Sequence, residues 1–113
     1  MRYYIAGKMT GVDGYGFAAF DKACADLRSK GKTIASPHEI NHGETPETRG
    51  SLPYEHYVRA GLKLLLECEG IIMMTGWETS KGCMTELYVA YAAGMQVLFY
   101  NPVTGVLSTN AGR

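Results

Sequence analysis

The sequence has no surplus of charge of either sign, since its 113 residues include 11 basic and 11 acidic side chains. Without a basic surplus, counterion release supplies little affinity for duplex nucleic acid or for an anionic membrane. We therefore expect the binding partner to be a small molecule, and neither a nucleic-acid polymer nor a membrane surface.

Cysteine is scarce, and long apolar runs are absent. Cys24, Cys68 and Cys83 give an odd count without a close CxxC pair, and the N-terminus lacks the extended apolar core of a signal peptide. The most apolar stretch, residues 62–74, is interrupted by charged side chains and is too short to cross a bilayer. These absences predict a cytoplasmic protein without a membrane span.

Glycine and tyrosine, in contrast, are frequent. The chain contains 14 glycines and 8 tyrosines, which predicts sharp turns between strands and helices and a cleft with phenolic hydroxyls. Its 46% hydrophobic and 19% charged residues fit one compact domain over residues 1–113. No internal repeat and no linker divides that domain.

Short β-prone runs alternate with segments of helical periodicity along the chain. The β-prone runs predict four strands, at residues 2–6, 32–36, 70–74 and 96–100. The periodic segments predict three helices, which run from Phe17 to Gly31, from Pro53 to about Cys68 and from Ser80 to Gly94. The polar residues 38–52 predict a long surface loop, and residues 103–113 predict an irregular tail.

Apolar residues at intervals of three and four mark the faces on which the last two helices are expected to pack. On the second helix this stripe consists of Tyr54, Tyr57, Val58, Leu62 and Leu65. On the third helix it consists of Met84, Leu87, Tyr88 and Tyr91. We interpret Tyr88 and Tyr91 as core packing or as a contact between subunits.

The alternation of strands and helices predicts an α/β fold: a three-layer sandwich with right-handed crossovers and a four-stranded parallel sheet of order 2-1-3-4. In such a sheet the ligand crevice lies at the carboxyl ends of the strands, beside the point where the strand order reverses. Here that point corresponds to the loops after strands one and three. Both loops contain glycine.

The loop after strand one contains Gly7, Lys8, Met9 and Gly11. Its glycines allow backbone amides to approach an anion, and Lys8 adds a positive charge nearby. The pattern indicates a binding loop for an anionic ligand, although a plain strand-to-helix connection is the simpler explanation for this loop taken alone.

The loop after strand three leads into Ser80 and Gly82, and Glu86 follows in the opening turns of the third helix. Free backbone amides, a hydroxyl and a carboxylate are thus expected to face one crevice. The helix macrodipole is expected to keep the carboxylate ionised, as nucleophilic attack on an anomeric carbon requires. The alternative is an ordinary glutamate that stabilises the start of the helix.

Several segments form a combination that is more specific than any single motif. They are Tyr4–Gly7 with Met9–Gly11, Ser36–Pro37, Tyr57–Arg59, and Gly76–Gly82 followed by Glu86. Together they resemble the nucleoside 2-deoxyribosyltransferase-like superfamily, and more narrowly a small branch of it that is common in phages and bacteria. The resemblance covers nearly the whole chain, to about Pro102.

This resemblance implies a Rossmann-like, or flavodoxin-like, fold and cleavage of the N-glycosidic bond of 2′-deoxynucleosides or their 5′-monophosphates through a covalent deoxyribosyl-glutamate. It assigns the nucleophile to Glu86 and the residue that orients this nucleophile to Tyr4. It requires no metal and no cofactor, and it implies assembly into dimers or larger homo-oligomers. Positions that bind the sugar or the 5′-phosphate in the family correspond to Gly7, Gly11, Ser80 and Gly82.

Ser80 stands where the transferases carry an aspartate, which is similar to the pattern of the nucleotide N-hydrolases. The resemblance therefore favours nucleoside monophosphates as substrates and water as the acceptor, with transfer to a second base as the other possibility.

Two positions depart from the family. Gly61 replaces an aspartate that helps to protonate the leaving base, and Lys8 replaces a proline. Proton donation contributes roughly 10²- to 10⁴-fold to a rate, so its loss predicts a slow enzyme or a non-catalytic protein that binds or sequesters a nucleotide or a nucleotide-derived signal. The side chains considered as substitute proton donors are Glu55, His56, Glu69 and Glu78.

Four further residues have two interpretations each. Trp77 can stack on a base at the mouth of the crevice or pack on the edge of the domain. Arg59 can reach a phosphate or be a solvated helical residue. His38 and His42 have a faint metal-like spacing but lack the partners of a closed zinc site, so we expect no metal.

Overall fold

The computed structural model describes residues 1–109, which contain five strands and three α-helices. Single 3-10 turns lie at Asp13–Gly16, Pro37–Glu39 and Trp77–Thr79. The strands and helices occur along the chain as β1 (Arg2–Ala6), α1 (Phe17–Ser29), β2 (Thr33–Ala35), α2 (Tyr54–Leu65), β3 (Gly70–Met73), α3 (Lys81–Ala92), β4 (Gln96–Tyr100) and β5 (Leu107–Ser108).

The strands form one sheet in the order β2-β1-β3-β4-β5. The first four are parallel, with Tyr4 aligned to Ala35 on one side and to Ile71 on the other, so the predicted α/β class and the order 2-1-3-4 are confirmed. A parallel sheet with this order has its strand reversal between β1 and β3. The loops after these two strands therefore flank a crevice at the carboxyl edge.

The prediction of an irregular tail over residues 103–113 is wrong at β5, which pairs antiparallel with β4. A tight turn brings the chain back: the Asn101 side chain accepts from the backbone N–H of Val103, and Gly105 adopts a left-handed φ of 73° and donates its N–H to the Asn101 carbonyl. The last part of the predicted tail, residues 110–113, lies outside the described residues.

Helices cover both faces of the sheet. Alternate residues of each strand point to opposite sides, so Tyr3 and Ile5 pack with α1, whereas Tyr4 and Ala6 pack with α2 and α3. All four residues of β3 are buried, as expected for a central parallel strand. None of the helices within residues 1–109 has the length and apolar character needed to cross a membrane.

The predicted packing face of α3 is wrong at its two tyrosines, since Tyr88 is 73% exposed and Tyr91 is 61% exposed. The buried residues are instead Cys83, Leu87 and Ala90, which also recur at intervals of four and three. Cys83 and Ala90 are small, which lets the helix approach the sheet closely. Core packing is therefore excluded for the two tyrosines, and a contact between subunits stays a prediction.

Candidate active site

A hydrogen-bonded pair, the buried Tyr4 and the partly buried Glu86, occupies the junction of β1, α2 and α3. The hydroxyl of Tyr4 donates a hydrogen bond to Oε2 of Glu86, and the tyrosine side chain is fully buried. Gly61 on α2 packs against both groups: a Cβ added there would lie 3.0 Å from Oε2 of Glu86 and 3.1 Å from the Tyr4 hydroxyl. Three elements thus fix one carboxylate in one orientation.

Burial raises the pKa of Glu86 to about 7, and the hydrogen bond from Tyr4 opposes this shift. Burial likewise raises the pKa of Tyr4 well above its usual value, so the phenol remains a donor. This shift is opposite in sign to the lowering of the pKa that a helix macrodipole would produce. Glu86 is the sixth residue of α3 and lies beyond the first turn, where the field of the helix terminus is strongest.

Glu86 and Tyr4 line a cavity of about 850 Å³ formed by the loops that follow β1, β2 and β3. Two glycine-containing loops supply one part of its wall: residues 7–11 after β1, and residues 79–82 at the start of α3. The Nζ of Lys8 donates to the hydroxyl of Thr79 at 3.0 Å, which joins these two loops. Ser80 caps α3 by accepting the backbone N–H of Cys83 at 3.2 Å.

The cavity brings together most of the residues singled out from the sequence. Trp77 is not among its lining residues, because its ring packs against Phe99 with the centroids 5.7 Å apart. Arg59 lies in a separate shallow groove together with Glu55 and His56. We therefore leave Trp77 and Arg59 out of the proposed site. The predicted residues that line the cavity are Tyr4, Gly7, Lys8, Met9, Gly11, Ser80, Gly82 and Glu86.

The segment predicted to be a surface loop supplies a large part of the cavity wall, a role that sequence reasoning missed. We call residues 40–52 the strap. A long segment without helix or strand inside a small domain is usually functional, and this was the signal available in the sequence. The strap residues that line the cavity are Ile40, Asn41, His42, Glu44, Thr45, Pro46, Arg49, Gly50 and Leu52.

Helix α2 holds the strap through a hydrogen-bond cluster around Glu44. The Tyr57 hydroxyl donates to Oε2 of Glu44, and the backbone N–H of Gly50 donates to the same oxygen at 3.0 Å. The backbone N–H of Leu52 in turn donates to the Tyr57 hydroxyl at 3.0 Å. Two residues of the strap, Glu44 and Leu52, are thereby hydrogen-bonded to one residue of the helix.

The loop after β1 contacts the strap from the other side. Tyr15 donates to the backbone carbonyl of Arg49 at 3.2 Å, and the Arg49 guanidinium lies 4.4 Å from the centroid of the Phe17 ring. Gly50 sits so close that an added Cβ would lie 2.6 Å from the Tyr15 hydroxyl. The wall of the cavity is therefore an anchored segment with defined contacts.

The three histidines, of which His42 lies in the strap, hydrogen-bond to neighbouring side chains. His38 hydrogen-bonds to the buried Ser36 through Nδ1 and to Asp21 through Nε2 at 2.7 Å, and its ring stacks on Phe20. His42 pairs with His56 at 3.0 Å. Within residues 1–109, no cluster of three or more His, Cys, Asp or Glu side chains is arranged to hold a metal ion.

One face of α2 also lines the cavity. Its residues are Tyr54, Tyr57, Val58 and Gly61, at the three- and four-residue spacing of a single helical face. The sequence pattern assigned the first three of these to a core stripe. That assignment is wrong for this part of the helix, since Tyr54 is half exposed, and burial in the core is confined to positions from Gly61 onward.

The fold of the chain, a sheet of this order with helices on both faces, is similar to that of a solved enzyme structure. The solved structure of a 2-deoxyribosyltransferase from the psychrotolerant bacterium Bacillus psychrosaccharolyticus matches the chain with a TM-score of 0.67 and 20% sequence identity. The match covers 90% of this chain and 73% of that one. The resemblance to the nucleoside 2-deoxyribosyltransferase-like superfamily is thus confirmed at the level of the fold.

The family of the chain is shown by a comparison of its sequence with family models. The family model described as "Domain of unknown function (DUF4406)" matches residues 1–99, and the chain belongs to that family. A search of curated proteins finds no significant match.

We expect an alanine at position 61 to disturb the Tyr4–Glu86 pair. Replacing a helical glycine by alanine normally stabilises a helix by about 1 kcal/mol, but here the new methyl group must push against Glu86 and Tyr4. Gly82→Ala is the matched control, since its Cβ meets nothing closer than the Tyr54 hydroxyl at 3.7 Å. In urea unfolding, Gly61→Ala should be less stable than Gly82→Ala by about 1 to 3 kcal/mol. Equal stability would contradict the contact.

Proposed function

We propose that this protein cleaves the N-glycosidic bond of a 2′-deoxynucleoside 5′-monophosphate, with Glu86 as the nucleophile. The observation that carries the proposal is the Tyr4–Glu86 pair: a partly buried carboxylate, held by a phenol, lines a large cavity at the carboxyl edge of a sheet whose fold is similar to that of a 2-deoxyribosyltransferase. Hydrolysis is the proposed outcome, and transfer of the deoxyribose to a second base is the related possibility.

In the proposed reaction the ionised Glu86 attacks C1′ of the deoxyribose. The bond from C1′ to the base nitrogen breaks, its electron pair leaves with the base, and the base takes up a proton. Water then attacks C1′ of the deoxyribosyl ester, releases the carboxylate and loses a proton. Tyr4 holds Oε2, which leaves Oε1 as the attacking atom and restricts the carboxylate to one orientation.

The glycine-containing loops are the proposed site for the 5′-phosphate. Backbone amides of residues 7–11 and of the first turn of α3 are suited to an anion, and Lys8 and Lys81 supply positive charge. The Ser80 oxygen accepts from Cys83, so its own O–H is available to donate to a phosphate oxygen.

A second candidate function is binding of a nucleotide, or sequestration of a nucleotide-derived signal, without turnover. The observation that favours it is the lack of an acid at Gly61 next to Glu86. None of the four substitute donors named from the sequence, Glu55, His56, Glu69 and Glu78, is among the described residues that line the cavity. An aspartate at position 61 would moreover place a second carboxyl group against Glu86.

Chromatography of released base separates the two functions. The protein is incubated with each deoxynucleoside and each 5′-monophosphate, and half of the samples also receive a free acceptor base. Release of base from the monophosphates supports the proposed hydrolysis, and exchange with the added base supports transfer. Absence of release, together with thermal stabilisation by a nucleotide, supports the binding function and contradicts the enzymatic one.

The pH dependence of Tyr4→Phe tests the role of the Tyr4–Glu86 pair. Base release by the wild type should rise with pH through about 7, as Glu86 loses its proton. The Tyr4 hydrogen bond lowers this pKa, so its removal should shift the rise to higher pH and reduce the rate at pH 7 about tenfold. Pre-steady-state rates from pH 5 to 9.5 provide the measurement. An unchanged midpoint would show that Tyr4 does not set the protonation of Glu86.

A further inference from the structure

We propose that Glu44 of the strap recognises the nucleobase, and that the cavity therefore selects bases with an exocyclic amino group. This inference rests on the proposed function, because it assumes that the cavity binds a nucleotide. It concerns a residue that neither the sequence pattern nor the family resemblance singled out.

The shape of the cavity leaves one wall for the base. If C1′ lies at Glu86 and the phosphate lies at the glycine-containing loops, the remaining described wall consists of the strap, the cavity-facing side of α2, and Tyr15, Phe17, Pro37 and His38. A nucleotide bound in this way directs its base toward this wall, of which the strap forms the largest part. The polar and aromatic groups found there are then the groups that meet the base.

Helix α2 sets the distance between the two carboxylates. Gly61 contacts Glu86, and Tyr57, which binds Glu44, lies four residues earlier on the same face. Four residues correspond to a rise of about 6 Å along the helix, which is comparable to the width of a nucleobase. Glu44 is thus displaced from the reacting centre toward the far edge of a bound base.

Glu44 is suited to accept hydrogen bonds. Among the described residues that line the cavity, Glu44 and Glu86 are the two carboxylates. The hydrogen bond from Tyr57 holds the pKa of Glu44 below its usual value, and backbone N–H groups of Gly50 and Ser51 act in the same direction. Because an ionised carboxylate has acceptors only, Glu44 has no proton to give to the leaving base.

An acceptor at this position distinguishes amino from oxo groups. The hydrogen bonds from Tyr57 and from Gly50 both end on Oε2 of Glu44, so Oε1 retains acceptor capacity for an amino group of the ligand. A carbonyl oxygen in the same place would face a negative charge without a proton between them. The 4-amino group of cytosine and the 6-amino group of adenine fit, whereas the 4-oxo group of uracil and the 6-oxo group of hypoxanthine are disfavoured.

Binding is measured on Glu86→Gln, which removes the proposed nucleophile, so that base preference is read without turnover. Calorimetric titrations compare dCMP with dUMP and dAMP with dIMP, pairs that differ at the amino or oxo group. We expect the amino member of each pair to bind about tenfold or more tightly. Binding of all four with equal affinity, or preference for the oxo members, would overturn the role of Glu44. Absence of binding by any nucleotide would instead refute the proposed function.

Glu44→Gln, combined with Glu86→Gln, tests whether Glu44 causes the preference for amino bases. The amide keeps an oxygen for Tyr57 and adds an N–H₂ donor, so the preference for amino bases should fall at least about tenfold. Glu47→Gln is the matched control, since Glu47 is an exposed residue of the strap that does not line the cavity. An unchanged preference in Glu44→Gln would overturn the proposal. If this variant does not fold, the comparison of the two nucleotide pairs on the parent protein still decides it.

Discussion

Glu86→Gln is expected to lower base release from every deoxynucleotide by at least about 10³-fold. The substitution keeps the size of the side chain and an oxygen that accepts the Tyr4 hydrogen bond, but it removes the negative charge that forms the bond to C1′. Single-turnover base release, with protein in excess over substrate, measures the effect on the chemical step.

Glu67→Gln is the control for this experiment. Glu67 is an exposed carboxylate that pairs with Arg2 at the opposite edge of the sheet, and its loss should leave the rate unchanged. Trapping of a covalent deoxyribosyl adduct by mass spectrometry in the wild type, and its absence in Glu86→Gln, would support the nucleophilic role. Residual release above one hundredth of the wild-type rate would contradict it.

Glu86→Gln is also expected to stabilise the folded protein by about 3 kcal/mol above pH 8. Glu86 has an ordinary pKa of 4.5, and burial in the folded protein raises this pKa to about 7. At Glu86 the folded state thus binds more protons than the unfolded state between these values, so the contribution of this residue to stability is fully present below pH 4.5 and is lost as pH rises through 7. Glutamine carries no charge and avoids this loss, which amounts to about 1.4 kcal/mol for each unit of pKa.

Urea unfolding of both proteins at pH 5 and at pH 8.5 measures this difference. The gain from Glu86→Gln should be small at pH 5 and should approach its full value at pH 8.5. Glu67→Gln should show no comparable pH-dependent gain, because Glu67 is exposed. A gain of the same size at both pH values would show that burial does not raise the pKa of Glu86. This measurement is independent of any substrate.

The periodicity of the sequence was sufficient to predict the central elements. The bounds of β1 and β4 agree with the prediction, α1 begins at the predicted Phe17, and the order of the four parallel strands is as expected. These elements could be predicted because their buried faces require apolar residues at a regular spacing. Tyr4 and Glu86 lie 82 positions apart in the sequence, and no local pattern indicated their contact, which the family resemblance alone implied.

The remaining differences have local physical causes. The two residues of β5 are too few to show a strand period, and the turn that positions them depends on a side-chain contact of Asn101. On α3, tyrosines at core spacing proved to be exposed, because small Cys83 and Ala90 pack against the sheet instead. The role of the strap in the cavity wall was not predicted, because its position depends on contacts with other segments, such as that of Glu44 with Tyr57.

The strap leaves the sheet after β2 and returns at α2, and it contributes no strand or helix to the core. Insertions, deletions and substitutions within it can therefore accumulate while the Tyr4–Glu86 pair stays in place. Such a segment is a natural unit for diversification: homologues can keep the Tyr4–Glu86 pair and differ in the residues that line the cavity beside it. Grafting residues 40–52 from one homologue to another, with Tyr57 retained as the anchor, is accordingly a rational route to altered selectivity.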